Sequence, residues 1–413
     1  MNLLLIGNHT CANRGDCAIL RGLIHEIERQ RPEAKLTVVS RSPAVAARML
    51  DRRVQDDPFA HWHRNDSARF PGKDRLASRL LPLIMWFALR TGWRWPIRLL
   101  PLSFRRQVAA LRHYDAVIQV GGSFFVDLYG GGQFEYPFAA LLAGRPLFLA
   151  GHSLGPFERA LSSRLARMLL GAARRVALRE PVSRTLIERS RLPTKNVTGG
   201  ADTAWAVPPS QRTRELPACL RSRADERPLI AITLRELAPF DRRLGISQES
   251  YEAAFATLVN ALIDAGYDVV AASTCTSIGD YPRDDRQNAR RVAARVNRPD
   301  RFHVVMEELD DVGLGELFAD CDLLIGTRLH SAIIAMNFGT PAVALNYEHK
   351  SEGVMRQLGL PELSHPVQSL FDGSLMAQVM TVLHSLDAWR EKVAVAVERE
   401  RQRASAMIAE CLP

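Results

Sequence analysis

Two side chains near the C-terminal third, Arg328 and His330, have the types and spacing to do chemistry. They sit in Asp322-Leu-Leu-Ile-Gly-Thr-Arg-Leu-His330-Ser-Ala-Ile-Ile-Ala-Met, where an apolar run ends at Gly326 and an apolar helix-forming run starts just beyond His330. That pattern reads as strand, tight loop and helix start. Such loops lie at the carboxyl ends of strands, where open α/β sheets bind ligands. A helix start adds free N–H groups and the positive end of a dipole. A fixed cation beside a titratable imidazole makes this an anion site with a proton donor. An ordinary β–α turn with a surface arginine fits the local spacing equally well.

Other strand ends carry polar residues of the same kind. In the N-terminal half these are Asn8, His9, Asn13, Arg14 and Asp16, then Ser123, Asp127 and His152; in the C-terminal half Arg235, Thr274 and Lys350. Gly15, within Asn13-Arg-Gly-Asp16, permits close backbone approach, and Asp16 is expected to cap the helix that follows. Asp127 and Glu135 flank Gly130-Gly-Gly132, an arrangement suited to sugar hydroxyls or base catalysis and equally to solvated charge. GxGxxG and GxxxxGK[ST] are absent, as are HExxH-type spacings among the histidines, so no metal and no cofactor is expected.

The elements that must position these residues alternate regularly. Apolar runs without alternation occur at Leu3 to Gly7, Lys35 to Ser40, Ala116 to Val120, Pro146 to Ala150 and Val176 to Leu178. They recur at Leu229 to Leu234, Asp268 to Ser273, His303 to Met306 and Pro341 to Leu345. These read as strands buried on both faces of parallel sheets. With 413 residues the chain divides into two α/β domains. The expected division is an N-terminal Rossmann-like domain over 1–207, a linker over 208–227, a C-terminal Rossmann-like domain over 228–385 and a helix over 386–413 that crosses back. Residues 56–108, irregular and rich in Arg, Pro and Trp, read as an insertion.

The net charge of +9 fits anionic substrates or an anionic membrane surface. No nucleic-acid motif is present. Six scattered cysteines without a CxxC pair suit a reducing cytoplasm. The opening Met-Asn-Leu-Leu-Leu-Ile-Gly lacks a basic leader region and reads as a first strand. Leu80 to Leu89 is about half the length a spanning helix needs. With Arg90, Trp93, Arg94, Trp95 and Arg98 after it, this stretch suits a membrane interface, or a helical pair packed on the domain.

The chain resembles the bacterial polysaccharide pyruvyl transferase family, most closely its colanic acid branch. The runs that carry the resemblance are Gly7-Asn-His-Thr-Cys-Ala-Asn-Arg-Gly-Asp16, Ile118-Gln-Val-Gly-Gly-Ser-Phe-Phe-Val-Asp127 and Gly151-His-Ser-Leu-Gly-Pro156. They continue in Ala231-Ile-Thr-Leu-Arg-Glu-Leu-Ala-Pro-Phe-Asp241, Ser273-Thr-Cys-Thr276, Gly326-Thr-Arg-Leu-His-Ser331 and Asn346-Tyr-Glu-His-Lys350. The resemblance implies two facing Rossmann-like domains of the GT-B kind with the active site in the cleft between them. It implies phosphoenolpyruvate as donor, a sugar as acceptor, and a cyclic pyruvate ketal and phosphate as products. It further implies a polyprenyl-diphosphate-linked acceptor at the cytoplasmic membrane face. By position in the motifs, His330 is the expected general acid. Arg328, Lys350 and Arg235 are expected at the donor; Asn13, Arg14, Asp16 and Asp127 at the acceptor, with Ser123 and His152 as further candidates on that side. The glycine-rich Gly130–Gly132 is the departure. A nucleotide-sugar glycosyltransferase of the same architecture, or a silent scaffold for polysaccharide assembly, are the competing readings.

Overall fold

The computed structural model describes residues 1–8, 10–65, 73–93, 95–209, 217–221, 227–279, 281–347 and 349–413; the side chains at 8, 64, 65, 73–78, 349 and 350 are outside that description. His9, Arg94 and most of the expected linker therefore lie outside the described residues.

Two parallel sheets carry the chain. The first contains β1 (Asn2–Asn8), β2 (Lys35–Ser40), β3 (Gln55–Asp56), β4 (Ala116–Gln119), β5 (Leu147–His152), β6 (Arg175–Leu178) and β7 (Val197–Gly199). The second contains β8 (Leu229–Thr233), β9 (Asp268–Ala272), β10 (Phe302–Val304), β11 (Leu323–Gly326), β12 (Ala342–Asn346) and β13 (Ser364–Pro366). The strand orders are β3-β2-β1-β4-β5-β6-β7 and β10-β9-β8-β11-β12-β13. Each reverses direction once, between β1 and β4 in the first sheet and between β8 and β11 in the second. This is the doubly wound Rossmann order. The central strands β4, β5, β8, β9 and β11 are buried along their whole length, which is why they read as unbroken apolar runs. The three strands the sequence did not announce, β3, β7 and β13, are two or three residues long and lie at or near sheet edges. Short edge strands carry little apolar signal.

The chain forms two compact units. One comprises Met1–Thr10, Ile19–Ala206 and Arg401–Pro413; the other comprises Cys11–Ala18 and Val207–Glu400. The loop Asn13–Asp16 thus belongs to the unit built on the second sheet. The helix Arg14–Gln30 begins inside that loop. The expected cap at Asp16 is taken by Asn13 instead: its side-chain oxygen accepts from the Gly15 amide at 3.0 Å, and its carbonyl from the Cys17 amide at 3.1 Å. Asp16 stands in the first helical turn, favoured there by the helix dipole.

The insertion is not irregular. Its described part forms helices Pro58–Asn65, Lys73–Thr91 and Leu102–Ala110, with a 3₁₀ turn at Trp95–Leu99. Leu81, Met85 and Ala88, at i, i+4 and i+7, give Lys73–Thr91 an inward stripe. Leu81 and Met85 join Phe59, Leu100, Phe104 and Phe138 in the first unit's core. The Arg and Trp content masked that periodicity: Arg90, Trp93, Trp95 and Arg98 are exposed, while Trp62 and Trp86 pack against the core. No described helix is long and apolar enough to cross a membrane.

Candidate functional site

The second sheet brings its polar strand ends together at the point where strand order reverses. β8 delivers Arg235, β11 delivers Thr327, Arg328 and His330, and β12 delivers Tyr347. Thr327 is fixed from two sides. Its hydroxyl donates to the Thr233 carbonyl at 3.0 Å and meets the Tyr251 hydroxyl at 2.9 Å. Behind it, the Thr233 and Ser331 hydroxyls lie 2.7 Å apart, and Ser331 donates back to the Arg328 carbonyl at 2.6 Å. These bonds lock the turn from β11 into helix Leu329–Asn337, of which Arg328 is the N-cap.

Arg328 makes a two-pronged pair with Asp285. Its Nε donates to Oδ2 at 2.9 Å and an η nitrogen to Oδ1 at 2.8 Å. Burial works against the guanidinium charge, but the Asp285 carboxylate more than offsets it and holds the pKa well above the ordinary range. Asp285 is 1% exposed and also accepts from the Cys275 amide at 3.2 Å and the Thr274 hydroxyl at 3.3 Å. Thr274 is therefore a support for Asp285. Sequence reasoning missed Asp285. Its only signal was the acidic pair Asp284-Asp285 at the head of a basic helix, where Asp284 takes the cap by accepting from the Arg286 amide.

Arg235 is the least satisfied cation here. It is 5% exposed, and among the described residues only its Nε has an acceptor, the Glu236 carbonyl at 2.9 Å. Its guanidinium carbon lies 4.1 Å from the centroid of the Tyr347 ring and 5.2 Å from that of Phe240. An aromatic face stabilises the charge without using the in-plane donors. The two η nitrogens are left for an external acceptor, and a planar fork of that kind suits a carboxylate or phosphate. Lys350 lies in helix His349–Leu358, directly after this strand end, with its side chain outside the described residues.

His330, in the first turn of its helix, packs on the Asn13–Asp16 loop. A Cβ at Gly15 would stand 2.6 Å from the His330 Cβ and Cγ and 2.7 Å from Nδ1. No real side chain fits there, so Gly15 is what lets the imidazole lie against the backbone. The loop is itself bound to the second sheet. Asn13 bridges Cys275, and the Arg14 amide donates to the Thr274 carbonyl at 2.9 Å.

Arg14 does not present an open cation to an acceptor. It is fully buried and gives its donors to the Ala12 carbonyl at 2.6 Å, the Thr276 hydroxyl at 2.7 Å, Glu308 at 2.9 Å and the Leu309 carbonyl. A buried guanidinium must be saturated in this way. Arg14 is the strut that holds Gly15 against His330, while Asn13 and Asp16 remain partly exposed on the same loop.

The candidates in the first unit also differ from expectation. His152 is fully buried, with Nε2 3.3 Å from the Gln119 carbonyl. Burial, with a smaller push from Arg179, lowers its pKa to about 4, so it is a neutral core histidine. Ser123 accepts from Arg179 at 2.9 Å. Asp127 accepts from the amides of Glu158 and Arg159 at 2.7 and 3.2 Å, which fixes the entry to helix Ala160–Ala172. Glu135 is buried and paired with His63 at 2.9 Å, its pKa raised by burial. Each of these four has a structural partner, while Asp127 Oδ1 and His152 Nδ1 are buried with no hydrogen-bond partner among the described residues.

Among the described residues no group of three or more His, Cys, Asp or Glu side chains is placed to hold a metal ion.

Residues 13–349 match the model of a family described as polysaccharide pyruvyl transferase. The chain is 46% identical over 408 residues to the amylovoran biosynthesis protein AmsJ of Erwinia amylovora, covering 97% of this chain and 96% of that one. Among solved structures it is similar to UDP-GlcNAc 2-epimerase from Neisseria meningitidis, at 10% identity and a TM-score of 0.60 over 100% of this chain and 99% of that one. It is similar too to HepE from Anabaena, at 14% identity and a TM-score of 0.59 over 99% and 98%. At these identities the structural likeness speaks for the fold alone: two Rossmann-like domains of the GT-B kind.

Proposed function

The chain belongs to the polysaccharide pyruvyl transferase family, and from that premise we propose that it moves pyruvate from phosphoenolpyruvate onto two hydroxyls of one sugar as a cyclic ketal, releasing phosphate. The observation that carries the reading is the meeting of His330, seated on Gly15, with Arg328 and the unsaturated Arg235 at one strand-end cluster. Phosphoenolpyruvate bears a carboxylate and a phosphate on one three-carbon unit, so it calls for several fixed cations next to one acid.

In this reading Arg235 and Arg328, with Lys350, hold the two anionic groups. A phosphate beside His330 favours its charged form and keeps it an acid near neutral pH. His330 protonates the methylene carbon, and the adjacent carbon becomes electrophilic. One sugar hydroxyl adds there and gives its proton to the His330 imidazole. The carbon–oxygen bond to phosphate breaks, with the cations taking up the charge on the leaving group. The second hydroxyl closes the ring, and its proton leaves with the phosphate. No step calls for a metal or a cofactor.

AmsJ is an amylovoran biosynthesis protein by name, which supports an exopolysaccharide repeat unit as acceptor. We take its reactive residue to be galactose-type, in a polymer of the colanic acid kind, carried on a polyprenyl diphosphate. The enzyme would then work in the cytoplasm, peripherally on the inner face of the membrane. Exposed Phe87, Trp93, Trp95, Leu99 and Leu102, interspersed with exposed Arg90 and Arg98, support that location.

Incubation with phosphoenolpyruvate and candidate lipid-linked oligosaccharides, read by mass spectrometry and phosphate release, tests the reading. The expected product is a pyruvate ketal formed with one phosphate per transfer. Sugar transfer with nucleotide release would assign a glycosyltransferase instead.

A further inference from the structure

The first unit contains a pocket that the reaction described above does not use. It has a volume of about 470 Å³ and is lined by Arg79, Tyr129, Gly130, Gly131, Gly132, Arg159, Leu161 and Ser162. Three features give it a chemical character. Its charged lining is wholly cationic, and both arginines are exposed at its wall. Arg79 has no ion pair among the described residues, and Arg159 spends only one long bond of 3.4 Å, on the Asp127 carbonyl. The triglycine run brings bare backbone to the wall, with no side chain to hold a ligand off. Leu161 and Ser162 add amides from the first turn of helix Ala160–Ala172, whose N-cap Arg159 offers no side-chain acceptor.

The margin of the pocket is apolar. Leu80, next to Arg79, is 46% exposed; Leu128 and Tyr129, just before the glycines, are 63% and 49% exposed. Leu80 lies two helical turns from Phe87 on one face of Lys73–Thr91, and Phe87 continues the exposed apolar set into Trp93 and Trp95, each with its ring centroid 6.4 Å away. Between Asp74 and Asp115 the chain has arginines but no acidic residue. On the other side Asp127 and the exposed Glu158 adjoin the pocket, Asp127 accepting from the Glu158 and Arg159 amides. A pocket with a cationic lining and an apolar margin is complementary to an anion that carries a hydrocarbon chain.

We propose that this pocket binds the phosphate end of a membrane-borne amphiphile: Arg79, Arg159 and the Gly130–Gly132 backbone take the anion, and the exposed apolar margin enters the hydrocarbon. The proposal rests on the reading of a lipid-linked acceptor, whose diphosphate is such an anion. It accounts for the glycine-rich run that departs from expectation in the sequence.

The test is co-sedimentation without phosphoenolpyruvate, so that its outcome is independent of whether pyruvyl transfer occurs. Phosphatidylcholine vesicles carrying polyprenyl phosphate are compared with vesicles carrying phosphatidylglycerol at equal surface charge. The variants are R79Q/R159Q and, as a charge-matched control outside the pocket, R90Q/R98Q. The expected result is tighter binding to the polyprenyl phosphate vesicles, with that preference reduced about tenfold or more in R79Q/R159Q and kept in R90Q/R98Q. Equal binding to the two vesicle types, or equal loss in both double variants, overturns the proposal by reducing the effect to general charge. Inorganic pyrophosphate separates the remaining source. If it binds wild type as tightly as the polyprenyl phosphate vesicles do, the pocket is a free-anion site and the amphiphile is excluded.

Discussion

The two sheets share a strand order up to the sixth strand, yet they treat an arginine at a strand end in opposite ways. In the first, Arg179 follows β6 and spends its whole fork: Nε on Ser153 at 2.7 Å, one η nitrogen on Asp202 at 2.9 Å, the other on Ser123 at 2.9 Å. In the second, Arg235 follows β8 and among the described residues spends only Nε, its charge resting on Tyr347 and Phe240. A carboxylate and hydroxyls in the plane of a guanidinium consume its donors and produce a structural lock. Aromatic rings against its face stabilise the charge and leave the donors facing outward, which is the condition of a receptor. Topology supplies the place, and the neighbours decide whether it holds the fold or a ligand.

This contrast can be broken in several ways. The largest effect is expected at His330. His330→Ala should lower turnover by ~10²- to 10⁴-fold while phosphoenolpyruvate still binds and the thermal transition stays put. Retention of more than about a tenth of the rate would falsify the general-acid role.

On the locked side, Arg179→Met removes the 2.9 Å ion pair to the buried Asp202. It should destabilise the protein by about 3–5 kcal/mol in denaturant unfolding. Donor saturation in the folded variant should be unchanged; a raised donor constant would show that Arg179 is a receptor after all.

His152 sharpens the same side by pH. Its folded pKa is depressed to about 4, below the ordinary 6.5, so the unfolded chain binds a proton that the folded one refuses. The stability it provides is complete above about pH 6.5 and is lost as pH falls toward 4, on the order of 3 kcal/mol in all. His152→Gln should flatten the stability slope in that window, and an unaltered slope would mean that other groups set it.

On the receptor side, Arg235→Met should raise the apparent phosphoenolpyruvate constant roughly ten- to hundredfold, with little change in melting temperature or acceptor constant. The opposite pattern, a lower melting temperature with an unchanged donor constant, would make Arg235 another lock. The smallest effect is expected from a chelator, since the proposed chemistry calls for no metal. Loss of activity on chelation, restored by one divalent ion, would require that mechanism to be rewritten.

Much of the scaffold was legible in the chain because parallel strands buried on both faces have to be apolar throughout. That is how β8, β9, β11 and β12 could be read to within a residue or two. The same rule left β3, β7 and β13 silent, and the density of arginine and tryptophan hid the helices of the insertion. The sequence by itself also marked Arg328 and His330, since an apolar run breaking into Arg-Leu-His before a helix is a local pattern. Gly15 likewise announced a close approach, without naming what approaches.

Tertiary structure alone decided which polar residues are open and which are spent. Arg14, Ser123, Asp127 and His152 share the strand-end pattern of Arg235, but each meets a partner far away in sequence that satisfies or buries it. Asp285 acquires its meaning only by lying 2.8 Å from Arg328, forty-three positions on. The reason is physical. Periodicity is a property of the local chain, whereas saturation of a donor depends on which acceptors the fold carries to within about 3 Å of it.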